Sequence, residues 1–313
     1  MITGKPILNT SNLMLQVIFG LTLGVALQFY FYGWGVIYQI TLALLTGIAA
    51  EILFLKIRNK SIDVVKDNSA ALTAILLAIS IPSIAPWWII VLGTSFAIIF
   101  GKQLYGGLGS NPLNPAMLGY AFLLISFPLE MTRWTSSFLT FEEGLNVIFS
   151  SINIDALSSA TRLEEAKFAL MEGEVFNPIQ IDQTVWINLG FLVGGVYLYY
   201  KKAITWQIPL SFLAGIIVMS ILLMLIDPDH AMGPVFHLFH GATMLGAFFI
   251  LTDPVSSSTT PRGRLIYGFL IGILVIIIRT YGSYPDGVAF AVLLLNIAVP
   301  LIDYYSKPKV FGR

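Results

Sequence analysis

Cysteine is absent from the 313 residues. Disulfides, thiolate zinc sites and cysteine-ligated iron–sulfur clusters are therefore excluded from this chain, and any electron it handles must travel on an organic group. Charge is scarce as well. Asp, Glu, Lys and Arg together make up 11 %, against roughly 25 % in an ordinary soluble domain. Seventeen basic residues balance seventeen acidic ones, which argues against a polyanion such as nucleic acid as partner. What is abundant is apolar: 57 % of the residues are hydrophobic and the mean hydropathy is +0.83. A soluble globule of about 300 residues buries about 75 % of its unfolded surface and needs polar cover for the remainder. This composition cannot supply that cover, so the chain reads as an all-α integral membrane protein in contact with membrane lipid.

Crossing a bilayer takes about 20 mostly apolar residues in a helix. Ten segments bounded by Gly, Pro, Trp or charge are expected to cross: 13–32, 35–55, 69–82, 87–101, 113–128, 185–200, 206–226, 235–252, 265–279 and 286–305. The first is too long for a signal-peptide core and no small-residue cleavage site follows it, so it reads as retained. Segments 69–82 and 87–101 are short, which predicts tilted or broken helices shielded by neighbours, because unpaired backbone cannot face lipid. The six Trp residues, 34, 87, 88, 134, 186 and 206, fall at or near expected span ends, as interfacial anchors do.

Ten spans put both termini on one side. That side carries Lys5, Lys56, Arg58, Lys60, Lys66, Lys102, Lys201, Lys202, Arg262, Arg264, Lys307, Lys309 and Arg313, and the other only Arg133, Arg162, Lys167 and Arg279. The positive-inside rule then makes the termini cytoplasmic. The longest stretch between spans, 129–184, is expected outside the membrane on the opposite, periplasmic face of a bacterial inner membrane, with nine carboxylates against three basic residues. The chain divides into a first five-helix membrane repeat (1–128), this acidic loop (129–184) and a second five-helix repeat (185–313).

A shift of 172 residues pairs Pro6 with Pro178, Trp34 with Trp206, Pro82 with Pro254 and Pro128 with Pro300, and lays spans one to five on spans six to ten. Five is odd, so the halves are expected to be inverted relative to each other, with broken helices around a central site. The break signals are Gly106 to Pro115 in one half and Tyr281 to Gly287 in the other. Asn114 before Pro115 reads as an N-cap with proline in the first helical position, and Asp286 sits at the equivalent point.

Within 129–184, Thr161-x-x-Glu164 reads as a capping box ahead of the periodic Leu163, Ala166 and Leu170. The small residues Ser158, Ser159 and Ala160 before it leave room for a phosphate on the helix N-terminus. The run Ser158-Ser159-Ala160-Thr161, preceded by Asp155, resembles the flavinylation motif of the NqrB and RnfD family. In that family the last threonine is esterified to the phosphate of FMN. Lys66 to Ala70, Lys102 to Gly109, Asn114 to Met117, Gly241 to Phe249, Thr252 to Val255 and Tyr284 to Phe290 are also similar to that family, and to its Rnf (Rsx) branch in particular. The run departs from the common pattern in having Ala156 where Gly is usual, Ser159 where Gly is frequent and Arg162 where Pro is frequent.

The resemblance implies a urea-transporter-like fold and a membrane subunit of a translocase. The complex would couple electron transfer between ferredoxin and NAD to sodium ion or proton translocation, with FMN on Thr161 as one relay. It further implies the other Rnf subunits (A, B, C, E and G) as partners, a separate flavin transferase for maturation, and a second, non-covalent flavin, riboflavin. Thr161 would be an attachment point and no residue of this chain a catalytic nucleophile. The competing reading is a passive small-solute channel or transporter of the same fold, since fold does not give function.

Other polar residues have simpler readings. Ser256 to Thr260 reads as a loop, and His237 and His240, three apart on one helix, as hydrogen-bonding groups with no completed metal set. Glu51, Asn68, Asp253, Arg279, Asp286 and Asp303 lie in or at the edge of spans, where charge is costly and function is the default reading. Glu51, Arg279 and Asp303 are near enough to span ends to snorkel. Asp286, Asn114, Asp253 and Asn68 remain candidates for an ion or second-flavin pathway, weighed against local capping.

Overall fold

A computed structural model describes residues 10–150, 157–173, 176–178, 180–228, 231–284 and 286–307. Asp155 and Pro285 lie outside them. Helices occupy all ten expected regions. The first half holds α1 (Thr10–Tyr32), α2 (Trp34–Ile57), α3 (Ser69–Ala78), α4 (Trp87–Gly101) and α5 (Pro115–Ser126). The connecting segment carries α6 (Pro128–Thr132), α7 (Phe141–Ser150) and α8 (Arg162–Glu172). The second half holds α9 (Gln183–Tyr200), α10 (Gln207–Ile226), the short α11 (Pro234–Phe239) and α12 (Thr243–Leu245) with a π-helical stretch Gly246–Ile250, then α13 (Pro261–Tyr281) and α14 (Val288–Ser306). Two dipeptide strands, β1 (Trp134–Thr135) and β2 (Ser158–Ser159), pair antiparallel.

Six helical stretches are long and apolar enough to cross a membrane: Thr10–Tyr32, Trp34–Ile57, Trp87–Tyr105, Gln207–Ile226, Pro261–Tyr281 and Val288–Ser306. Their outer faces present Leu45, Leu53, Leu225 and Ile297, each 60 % or more exposed. A face of that kind is stable only against lipid or another apolar surface. The chain is thus a multi-pass, α-helical membrane protein.

The helices are held at their breaks by side chains that take over backbone hydrogen bonding, as an apolar surround requires. Residues 79–86 leave the helix after α3, with prolines at 82 and 86. Gln28 on α1 donates to the Ile79 carbonyl (3.1 Å) and Gln39 on α2 to the Ala85 carbonyl (2.6 Å). After the π-helical stretch, Asn114 donates to the Ile250 carbonyl (3.2 Å) and Asn296 to the Ser256 carbonyl (3.3 Å). Asn114 also caps α5 through the Met117 amide (3.2 Å), with Pro115 following, as its sequence position predicts.

The region 235–252, expected as one span, is broken at residues 240–242. Set against the break is Arg279, which sequence position alone allows to snorkel but which is 4 % exposed. Its guanidinium donates to the His237 carbonyl (3.0 Å) and the Thr243 hydroxyl (3.0 Å), filling the gap that a continuous helix would close. Gly241 turns the chain there at φ 67°, and a Cβ on it would meet both Arg279 and Asp286. Glu51, also expected to reach the span end, is instead fully buried and ion-paired with Lys102.

Candidate functional site

Thr161 has extended backbone and is the N-cap of α8. Its hydroxyl oxygen accepts from the Glu164 amide (3.3 Å), while the Glu164 carboxylate accepts from the Thr161 amide (2.9 Å) and hydroxyl (3.1 Å). Both halves of the expected capping box are formed. The residues before it are fixed by the two strands, Ser159 opposite Trp134 and Ser158 opposite Thr135. Arg162, the next residue, bridges three elements. It contacts Glu165 (2.7 Å), the Asn177 carbonyl (3.1 Å) and Asp182 (3.4 Å), and lies 4.5 Å over the Phe176 ring. Asp182 in turn caps α9 through the Val185 amide (3.1 Å).

These elements roof a cavity of about 310 Å³ whose floor lies between the two halves of the chain. Ser159, Ala160, Thr161 and Arg162 line its mouth, with Trp134 and Asp182. Gln28 and Tyr32 of α1, Met117 and Tyr120 of α5, Asn188 and Phe191 of α9, and Asp286 form the walls. The Gln28 side-chain oxygen is buried there without a hydrogen-bond partner. A cavity of this size, mostly apolar with a few directed polar groups, is what a small-molecule site looks like.

Asp286 faces the cavity but is not a bare ion ligand. It accepts from Arg279 (3.1 Å) and from the Ala242 (2.7 Å) and Val288 (3.2 Å) amides, so it ties the 240–242 break to the start of α14. Asn114 and Asp253 line a different, smaller cavity of about 60 Å³ together with Ser69 and Lys102. Asp253 accepts from the Ser256 hydroxyl (2.7 Å) and the Val255 amide (3.3 Å). Asn68 lines neither cavity: at φ 62° it closes the turn before α3 and donates to Ser11 (2.8 Å). Ser258 and Thr259 are taken up by Asp303, and Thr260 caps α13, so the reading of that cluster as a loop holds.

Two cavity-lining residues and one helix cap away from the cavity escaped sequence reasoning. Gln28 and Asn188 are single amides in apolar helices, legible only as polar residues with no stated use. A second capping box, Thr140 with Glu143, begins α7, and its Thr-x-x-Glu spacing was the available signal. Among the described residues there is no cluster of three or more metal-ligating side chains.

The fold and cavity define the class: a multi-pass helical membrane protein with a ligand-sized cavity where the segment connecting α5 to α9 meets helices from both sides of it in the chain. The chain belongs to the NQR2, RnfD, RnfE family, whose sequence pattern matches residues 5–312. Relatives include a protein of Psychromonas ingrahamii, 52 % identical, covering 97 % of this chain and 95 % of the relative. One of Shigella dysenteriae is 50 % identical over the same shares. Both are named as subunits of an ion-translocating oxidoreductase complex.

Proposed function

We propose that this chain is the membrane subunit of an Rnf-type complex that couples electron transfer between ferredoxin and NAD to sodium ion or proton translocation, and that it carries FMN esterified to Thr161 as an electron relay. The family membership and the relatives' names support the first part. The observation that carries the second is Thr161 itself, a residue lining the cavity together with aromatic and amide side chains, its hydroxyl held at the α8 N-terminus by Glu164. The residues fit such a group. Tyr32, Trp134 and Phe191 would offer apolar walls to a planar ring system, and the unpartnered Gln28 oxygen would be available to accept a hydrogen bond from it. The α8 N-terminus and Arg162 favour a phosphate on Thr161. When bound, FMN would supply one-electron and two-electron transfer, which no side chain here performs. The protein's own part is to anchor the phosphate, exclude water and hold the ring between the halves of the chain.

The same reading takes the ten helical regions as two inverted five-helix repeats of urea-transporter-like design, with the 129–184 segment on the periplasmic face. The other Rnf subunits and a flavin transferase complete it as partners. What supports the repeat is that α1 to α5, shifted by 172 residues, overlap α9, α10, α12 with its π-helical continuation, α13 and α14 in turn. The test is covalent flavin on the denatured chain, read as ultraviolet-excited fluorescence on a gel after expression with a flavin transferase. Thr161→Ala is expected to abolish the band, while Thr140→Ala, Thr259→Ala and Thr260→Ala retain it. A band surviving in Thr161→Ala ends the assignment.

A further inference from the structure

His240 is 3 % exposed, and nothing in the relay reading above uses it. Its Nδ1 lies 2.9 Å from the Phe236 carbonyl, and its ring stacks on the Phe236 ring. Its Nε2 is buried without a hydrogen-bond partner and points at Asp182, 3.6 Å away. Each ring nitrogen therefore faces an oxygen acceptor, whereas a neutral imidazole has one N–H to share between them. A second proton is the group that completes this arrangement.

Burial opposes that proton first, because a desolvated imidazolium is costly. The Phe236 carbonyl and Asp182 on the cap of α9 favour it, and Arg162 at the start of α8 and Arg279 on α13 oppose it. His237, its neighbour on the same turn, sits beside Arg279. The cavity wall carries Glu165, Asp182 and Asp286, against Arg162, which contacts the first two, and Arg279 behind the wall, which pairs with the third, so three carboxylates face two guanidinium groups. One further negative charge in the cavity, buried and poorly screened, raises the value of a nearby cation.

We infer that His240, which does not line the cavity but stands behind its wall residue Asp182, is the proton-accepting group serving it: its Nε2 binds one proton when one electron enters the cavity, and releases it when the electron leaves. The balance is simple. A neighbouring one-electron carrier is oxidised, the cavity's occupant is reduced, and one proton passes from water to Nε2, forming an imidazolium paired with Asp182. This rests on the flavin reading of Thr161 and adds to it a residue that no part of that reading requires.

The test is a redox titration of the flavin-bearing protein in detergent, followed by flavin absorbance across the histidine range of about pH 5 to 8. The wild-type potential is expected to fall more steeply with pH than that of His240→Gln, by up to one proton per electron. Infrared difference spectra on reduction are expected to show imidazolium ring bands in wild type and to lose them in the variant. Asp182→Asn keeps the α9 cap, because Asn caps as well as Asp, and is expected to flatten the same slope if His240→Gln fails to fold. Equal slopes in wild type and variants, with the fluorescent band retained and no imidazolium bands, overturn the inference. Absence of the band in wild type strikes the flavin reading instead.

Discussion

Asp286 shows how a residue's role changes once its neighbours are known. From sequence it is a helix cap or an ion ligand. In the structure its carboxylate neutralises Arg279, whose side chain is 1 % exposed. Removing one partner of a buried pair leaves an uncompensated charge, at a cost of about 3–5 kcal/mol. Asp286→Asn is therefore expected to lower the thermal unfolding midpoint in detergent sharply, although Asn would serve a cap equally well. An unchanged midpoint would return Asp286 to the rank of a cap. The Thr161 cap was legible because it is written in adjacent residues, a hydroxyl three positions before a glutamate. Arg279 was not, because its partners, His237, Thr243 and Asp286, are brought to it by three different elements.

Helix existence was readable from apolar length, and helix ends from Asn114-Pro115 and Trp34. The breaks were harder. The run 235–252 reads as one span in sequence, and only the structure shows it interrupted at 240–242 with a buried guanidinium set against the break. The packing of α1 on α9 was equally hidden. A Cβ on Gly194 would overlap the Gly20 carbonyl, and one on Gly24 the Phe191 ring, so glycine sets the distance between the two helices. Gly194→Leu is expected to force them apart and destabilise the protein by at least the 1–3 kcal/mol typical of overpacking, read as loss of folded protein in detergent.

The α7 cap makes a prediction in pH. The Thr140 hydroxyl and amide hold the exposed Glu143 carboxylate below its ordinary range. A lowered carboxyl pKa contributes stability that is present above the unfolded value, about pH 4, and lost as pH falls through the folded value. Amide exchange in the first turn of α7 is expected to quicken selectively below about pH 4, and Glu143→Gln to weaken that dependence. A pH-independent first turn would show that the cap is not charge-assisted.

For the molecule as a whole, the thirteen-to-four partition of basic residues fixes an expected orientation. Ser137 lies on the connecting segment and Asn59 after α2, and both are exposed. A cysteine at Ser137 is expected to react with an impermeant reagent from outside intact cells, and one at Asn59 only after the cells are opened. The reverse pattern would place Thr161 in the cytoplasm.

The turn between α1 and α2 has a mechanical consequence. Gly33, at φ 73°, admits the Leu139 backbone where any Cβ would collide with it. Main-chain bonds run from the Trp34 amide to the Leu139 carbonyl (2.9 Å) and from the Leu139 amide to the Tyr32 carbonyl (3.2 Å). The segment that carries Thr161 is thus bolted to a membrane hairpin whose Tyr32 ring lines the same cavity. A tug on that segment from a neighbouring protein would travel along a strut, shifting the tip of α1 and the cavity wall together.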